Sequence, residues 1–495
     1  MTAMTTPAAT RTPPIHQQLY TRLRDMIEQG QLRPGERLSS LRAMAEELGV
    51  ARGTVQLAYD RLLGEGYLVA RGPAGTFVAN DAGRPEPPRR ARKETPASAA
   101  APRTERLLAL PADEILLESG SSDAPRMLQL GVPAFDAFPR KLWTRLMARQ
   151  VRLAHSLGKP PAVGHEPLRE ALASYLYRSR GITSTAAQLF IVPSYAAGLA
   201  LTVDALGCAE PSGSLRGSKA WVECPGFPPT AQLLAHVGLR PHYVPVDASG
   251  IDVEQGCQQC GDAKIAVVTP SHQSPTGIAL TLARRMALLA WASSRDAWIV
   301  EDDYDGEYRY RGHPLPALKS LDSDERVIYC GTLSKVMFPG LRLAYVLVPP
   351  GLVAIFAMAA ARAVHGGCPE LAQATLAEFI AAGHFSRHIK QMRTLYARRR
   401  TLLANALRPY EKRGFVVRLE DGGMHLLLDV PADADDIAMA LRARAAGFGI
   451  HALTAWRRGE AGRRALMLGF TNLATISDAE HQVTRLMAAL DTPAG

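Results

Sequence analysis

Six short apolar runs, at 190–192, 220–223, 265–269, 298–301, 327–329 and 343–348, are separated by longer amphipathic stretches. No other feature restricts the fold as much. Short, nearly all-apolar strands joined by helix-length connections are buried on both sides, so they predict a mostly parallel sheet with helices on both faces. After residue 352 the pattern turns helical, then ends in a small α+β segment around 415–430 and 464–470. At 495 residues the chain has room for this α/β core and a smaller module besides.

That module is expected at 13–80. Ile15, Leu19, Leu23, Met26 and Ile27 share one helical face. A second helix at 41–48 is stopped by Gly49, a third spans 51–64, and 67–70 with 76–79 read as a two-stranded wing. Helix, tight turn and helix is the geometry that lays the later helix in a major groove. Between the modules, residues 81–110 are rich in Pro, Ala and Arg, a composition that cannot bury a core and predicts an extended, solvated tether. The remaining 111–495 forms the large domain.

A net charge of +10 suits a polyanionic partner, yet residues 1–80 hold nine Arg against seven Asp and Glu. Contact with nucleic acid there must come from placement rather than bulk charge. Six cysteines make no disulfide framework, which points to a reducing cytoplasm. Cys257 and Cys260 form a lone CxxC without the further ligands tetrahedral zinc needs, so no metal is expected. The first residues lack a signal-peptide pattern. The apolar stretch 352–364 is short and broken by Arg362, so no membrane span is expected.

The run Leu48-Gly49-Val50-Ala51-Arg52-Gly53-Thr54-Val55 through Tyr59, with Glu65-Gly66-Tyr67-Leu68 and Gly75-Thr76-Phe77-Val78, resembles the GntR family of winged helix-turn-helix regulators. The resemblance implies contact with double-stranded DNA through Arg42, Arg52 and Thr54 and through the wing at Arg71, Gly75 and Thr76. Arginine can hold a guanine edge or a phosphate, whereas threonine and wing amides mostly hold phosphate. The family usually carries Ser where Ala51 stands. Losing that cap hydroxyl should weaken the start of the recognition helix by about 1 kcal/mol.

In the large domain, Glu301-Asp302-Asp303-Tyr304 follows one apolar run, and Gly331-Thr332-Leu333-Ser334-Lys335 follows another, with Arg342 seven positions on. Together with Gly164-His165-Glu166-Pro167 and Thr269-Pro270-Ser271-His272-Gln273, they resemble the fold-type I aminotransferases, which use pyridoxal 5'-phosphate (PLP). Such a cofactor asks for an amine, an acid for its ring nitrogen, a flat partner and an anion site. The resemblance implies that Lys335 forms an aldimine with its aldehyde and Asp302 keeps the ring nitrogen protonated. It also implies that Tyr304 reaches the ring oxygen, Phe227 stacks on the ring, and Arg342, Thr332 and Ser334 clamp the phosphate. With both halves present, the chain is similar to the MocR-type branch of GntR regulators, in which a DNA-binding head is fused to an aminotransferase-like effector domain.

Several positions depart from that pattern. The phosphate loop usually carries a glycine and a glutamine, where this chain has Ser194, Tyr195 and Ala196. Ser274 stands where Asn or an aromatic is usual, and Lys159 where a tyrosine should reach a neighbouring subunit. Met467 replaces the arginine that pairs with a substrate carboxylate, and Arg457, Arg463 and Arg464 are the nearby cations that could stand in. The expectation is a multidomain chain, a winged helix-turn-helix unit followed by an α/β PLP-dependent transferase-like unit. It would work as a homodimeric, cytoplasmic regulator sensing a small amine or PLP itself. A working aminotransferase, and a regulator that keeps the fold without the cofactor, are the alternatives.

Overall fold

A computed structural model of the chain describes residues 14–80, 125–153, 158–210, 213–312, 315–363, 367–459 and 462–491. The tether expected at 81–110 lies outside them. The chain divides into two compact units, residues 1–112 and 113–495.

In the first unit, α1 (Ile15–Glu28), α2 (Leu41–Leu48) and α3 (Arg52–Gly64) precede a hairpin of β1 (Leu68–Ala70) and β2 (Thr76–Val78). The strands pair antiparallel, Leu68 opposite Val78 and Ala70 opposite Thr76. Local chemistry sets the helix ends. The Ser40 side chain accepts a hydrogen bond from the Ala43 amide, and Gly49, at a left-handed φ of 62°, ends α2. Ala51 opens α3 with no side-chain cap. Leu19, Leu23, Ile27, Val55, Ala58, Tyr59, Leu62, Leu68 and Val78 make one core. Tyr59 also donates to the Ser39 carbonyl at 3.0 Å, tying α3 to the segment ahead of α2.

The second unit begins with α4 (Arg140–Val151) and α5 (Glu166–Arg180). The sheet region follows as β3 (Leu189–Val192), α6 (Tyr195–Ala209), β4 (Lys219–Cys224), α7 (Pro228–His236), β5 (Arg240–Asp247) and β6 (Gly250–Ile251). It continues through α8 (Val253–Cys260), β7 (Ile265–Val268), α9 (Leu282–Ser294), β8 (Trp298–Asp303), β9 (Val327–Thr332) and β10 (Ala344–Leu347). These strands form one sheet in the order β3-β10-β9-β8-β7-β4-β5-β6. β4, β5, β7, β8 and β9 are parallel, and β10 runs against both of its neighbours. All six apolar runs are strands. β5 had no such signal, because Pro241, Pro245 and a half-exposed pattern disguise it. Only two of its residues pair with β6, so much of its outer edge is open and tolerates proline.

Helices cover both faces. Phe190, Val300, Ile328 and Val346 pack against Leu199 and Leu206 of α6. Ala266, Val268, Ile299 and Val327 pack against Leu288 and Trp291 of α9. There Trp221 stacks on Trp291 with centroids 4.0 Å apart, a pair contributing about 0.5–1.5 kcal/mol beyond area burial.

Helices α10 (Val353–Arg362), α11 (Glu370–Ala381) and α12 (His384–Leu407) lead to a smaller sheet. Its strands are β11 (Val416–Arg418), β12 (His425–Asp429), β13 (His451–Ala452) and β14 (Ala465–Gly469), in the order β11-β12-β14-β13 and antiparallel throughout. Helices α13 (Asp436–Ala445) and α14 (Ile476–Asp491) back it. Among the described residues, no helix is long and apolar enough to cross a membrane.

Candidate functional site

On the first unit, the sequence-predicted DNA contacts lie on the surface. Arg42 in α2, Arg52 at the start of α3 and Arg71 in the wing are exposed, and Thr54, Gly75 and Thr76 are half-buried. Arg42 is paired with Glu46 at 3.1 Å, so part of its charge is already answered. Arg71 lies over the Phe77 ring at 4.8 Å. Gly75, at φ 109°, leaves room for Arg37, whose Nε would stand 2.9 Å from any Cβ placed there. The first turn of α3 and the tip of the wing are thus both open to solvent.

In the second unit the sheet register gathers the other candidates. Val192 pairs with Ala344, and Ala344 with Thr332. On the next strand Gly331 pairs with Asp303 and Cys330 with Asp302; then Glu301 pairs with Val268, and Val267 with Val222. Segments far apart in sequence therefore end in one row, along the carboxyl edge of the parallel strands. Ser194, Arg342, Ser334, Lys335, Asp302, Thr269 and Glu223 all sit on or just beyond that row. In open α/β sheets this is the edge where ligands bind.

Strand alternation decides which acid faces the row. Glu301 and Asp303 point to the α9 side, where they are consumed. Glu301 accepts from the Leu318 and Lys319 amides at 2.8 Å each. Asp303 accepts from the Tyr329 hydroxyl at 2.6 Å and pairs with Arg180 at 2.9 Å. Asp302 follows Val300 to the α6 side. It is 8% exposed, and its carboxylate has no hydrogen bond or ion pair among the described residues. Burial, then Asp303, Glu223 and Asp305, push this carboxyl well above the ordinary range, with Lys335 pulling it back. A buried acid left in that state costs stability unless a cationic group arrives to meet it.

Lys335 lies in the turn after β9. Burial holds its ammonium below the usual lysine value, against the pull of Asp305 and Asp302. Gly131, at φ 64°, passes directly over it: a Cβ there would stand 2.3 Å from Nζ. Only a glycine permits that approach, and the hollow it leaves is at the amine. The Ser334 amide donates to the Thr332 hydroxyl at 3.3 Å. Arg342, exposed, holds a left-handed φ of 52° just before β10, a conformation costing about 1–2 kcal/mol for a residue with a side chain. It makes no ion pair among the described residues. An unpartnered buried acid, a shielded amine under a glycine and an unpaired guanidinium, set along one edge, fit PLP.

The departures have structural accounts. Ser194 spends its hydroxyl capping α6, accepting from the Ala197 amide at 3.2 Å. Tyr195 contacts the Thr230 hydroxyl at 3.1 Å, and its phenol is pushed well up by burial and by Asp302. Ala196 is exposed, and so is Lys159. The Ser274 amide donates to the Thr269 hydroxyl at 3.0 Å, and its side chain pulls the Tyr304 phenol back against the upward push of burial and Asp305. Phe227 caps α7 and turns its ring towards Trp456, with centroids 5.6 Å apart. Met467 is fully buried beside Leu427, Leu453 and Trp456, the cluster against which Phe227 packs. Two cations suggested as its replacement are held elsewhere: Arg463 pairs with Asp429, and Arg464 donates to the Ala434 carbonyl at 2.9 Å. Arg457 lies against Gly462.

Four groups escaped sequence reasoning as site residues. Glu223 accepts from the Thr269 hydroxyl at 2.6 Å and the Gln273 amide at 3.2 Å, and burial pushes it up to about 7. A charge closing an otherwise apolar strand was the available signal. Asp305, 1% exposed, has both oxygens without a hydrogen bond among the described residues, although His272 Nδ1 stands 3.2 Å away. The same Nδ1 is 2.9 Å from the Tyr304 hydroxyl, which gives His272 the partner its sequence context did not supply. His425 lies 2.9 Å from the Pro275 carbonyl and edge-on to His272, and it is held down at about 4 by burial and that second imidazole. Gly131 had no signal at all, since what it touches is two hundred positions away.

The sequence matches the model for bacterial regulatory proteins of the gntR family over residues 15–78, and that for aminotransferase class I and II over residues 140–454. A probable rhizopine catabolism regulatory protein, MocR, of Rhizobium meliloti is 36% identical over 417 residues, covering 84% of this chain and 81% of that one. The pyridoxine biosynthesis transcriptional regulator PdxR of Corynebacterium glutamicum is 31% identical over 474 residues, covering 93% and 95%. Among solved structures, a Pyrococcus horikoshii kynurenine aminotransferase in complex with PMP aligns with a TM-score of 0.64 at 24% identity, over 80% of this chain and 95% of that one. That last likeness concerns the fold.

Proposed function

The chain belongs to the MocR-type branch of the GntR-family transcriptional regulators, and from that premise we propose that its aminotransferase-like unit binds PLP at Lys335 and uses it to sense a small amine, or PLP itself. The observation that carries this reading is the buried Asp302 carboxylate without a partner, in line with Lys335 on the sheet edge. When bound, the cofactor supplies an aldehyde that condenses with amines. The chain's own residues do the rest. Asp302 would hold the proton of the ring nitrogen, Tyr304 would hold the ring oxygen, and Phe227 would flank the ring. Arg342, Thr332, Ser334 and the first-turn amides of α6 receive the phosphate, because a helix leaves those amides without intrahelical acceptors.

Regulation requires that the occupant bind two arrangements of the protein unequally. A homodimer would present two DNA-binding units to paired half-sites on DNA. The reading places the protein in the cytoplasm. Met467 in its apolar cluster supports regulation over turnover, since a thioether cannot pair with a carboxylate.

The test is an absorbance spectrum of the purified protein with PLP, before and after candidate amines, alongside gel shifts of promoter fragments. A visible or near-ultraviolet band that amines perturb, together with altered DNA binding, supports the reading. Absence of any band would overturn it and leave a regulator that retains only the fold. Steady release of keto acid would favour the enzyme instead.

A further inference from the structure

Helix α3 buries Val55, Ala58, Tyr59 and Leu62 in the core of its unit. Leu57 stands two residues from both Val55 and Tyr59, and at 3.6 residues per turn that places it on the opposite side. It is 57% exposed, the most exposed large apolar side chain among the unit's described residues after Ile15 at the first residue of α1. One turn earlier on the same outward face is Gly53, where an added Cβ would meet nothing within 4 Å. Beside it Gln56 is engaged with Asp60, its amide donating at 3.1 Å. The outward crest of this helix is therefore a bare turn followed by a leucine. A leucine cannot hydrogen-bond to a base edge, and an exposed one adds nothing to folding. The apolar feature that a major groove offers is the 5-methyl group of thymine.

We propose that Leu57 reads a thymine 5-methyl in the major groove, and that Gly53 lets the helix approach closely enough for it to do so. The occupant is argued from continuity. Leu57 lies on the helix that also carries Arg52 and Thr54, in the segment matched by the gntR family model. The inference is independent of the cofactor.

The experiment uses the full-length chain to select duplexes from a random-sequence library. The selected consensus is then remade with each thymine in turn replaced by uracil, which removes the methyl group alone. At one or more positions the exchange should weaken binding roughly fourfold, the value of one buried methyl group. Leu57→Ala should bind the thymine and uracil forms equally, with an unchanged salt dependence. Equal binding of both forms by the unsubstituted protein at every position would overturn the proposal, as would a library without a thymine preference. So would a Leu57→Ala protein that still discriminates. A lowered melting temperature with discrimination intact would assign the leucine to a protein contact instead.

Discussion

The two units hold their candidate residues in opposite environments. Arg42, Arg52 and Arg71 stand in water on short local elements, each within a few residues of the turn or cap that positions it. Asp302, Tyr304 and Lys335 are shielded, and they are set by strand register, by Gly131 from two hundred positions away and by the contacts of His272 with Tyr304 and Asp305. A surface that meets a polymer of phosphates can leave its charges solvated and bind through their placement. A site for a small molecule has to take charges out of water beforehand, and Asp302 shows the cost of doing so. Substitutions in the second unit should therefore act all or none on ligand binding, while those in the first should be graded.

The sharpest break in that comparison is Lys335→Ala. The unsubstituted protein should develop the absorbance of a lysine-bound vitamer and incorporate it at position 335 on borohydride reduction. The variant should do neither, while its affinity for duplex DNA in the absence of cofactor stays the same. A labelled adduct elsewhere in the variant would show that the row along the sheet edge was misassigned.

Next in size is a pH effect confined to the second unit. His425 is held at about 4 against an ordinary 6.5, packed between His272 and the Pro275 carbonyl, with Asp305 nearby. Because the folded value is the lower, the unfolded chain takes up this proton first as pH falls. The stability associated with a neutral His425 is complete above 6.5 and is lost as pH falls through about 4, to the extent of about 3 kcal/mol. Urea unfolding of His425→Gln should lack that slope between these two values. Glu223 and Glu301, both raised to about 7, slope the other way and are present in both proteins.

Graded effects are expected in the first unit. Arg52→Ala should weaken binding to a selected site by about 1–3 kcal/mol, and Arg42→Ala by less because Glu46 already answers part of its charge. Gel shifts at two salt concentrations would separate a lost base contact from a lost phosphate contact. Smallest of all, Ala51→Ser should stabilise the unit by about 1 kcal/mol, by supplying the cap that Ser40 provides for α2 and α3 lacks. No gain in thermal melting would mean that the backbone at Ala51 cannot offer the hydroxyl.

Much of this was legible beforehand, for identifiable reasons. The three helices and the wing follow from apolar period, Gly49 and the turn at 71–75, all local signals. The six apolar runs became strands because strands buried on both faces carry few polar residues to obscure them. β5 did not show itself, since an open edge tolerates the prolines that read as loop. Arg463 and Arg464 could not be placed from sequence, because Asp429 and the Ala434 carbonyl approach them only once the small sheet has formed.

The chain's order of residue types was enough to mark out two units and most of their elements, because those statements depend on neighbours within a few positions, and its resemblance to fold-type I aminotransferases singled out Lys335, Asp302 and Arg342 as the groups to watch. It could not say that Arg180 and Tyr329 would take up Asp303 while Asp302 was left without a partner, that Gly131 would roof the lysine, or that Leu57 would crown α3 uncovered. Those were decided by strand register, burial and close approach between distant segments, which exist only after the core has packed.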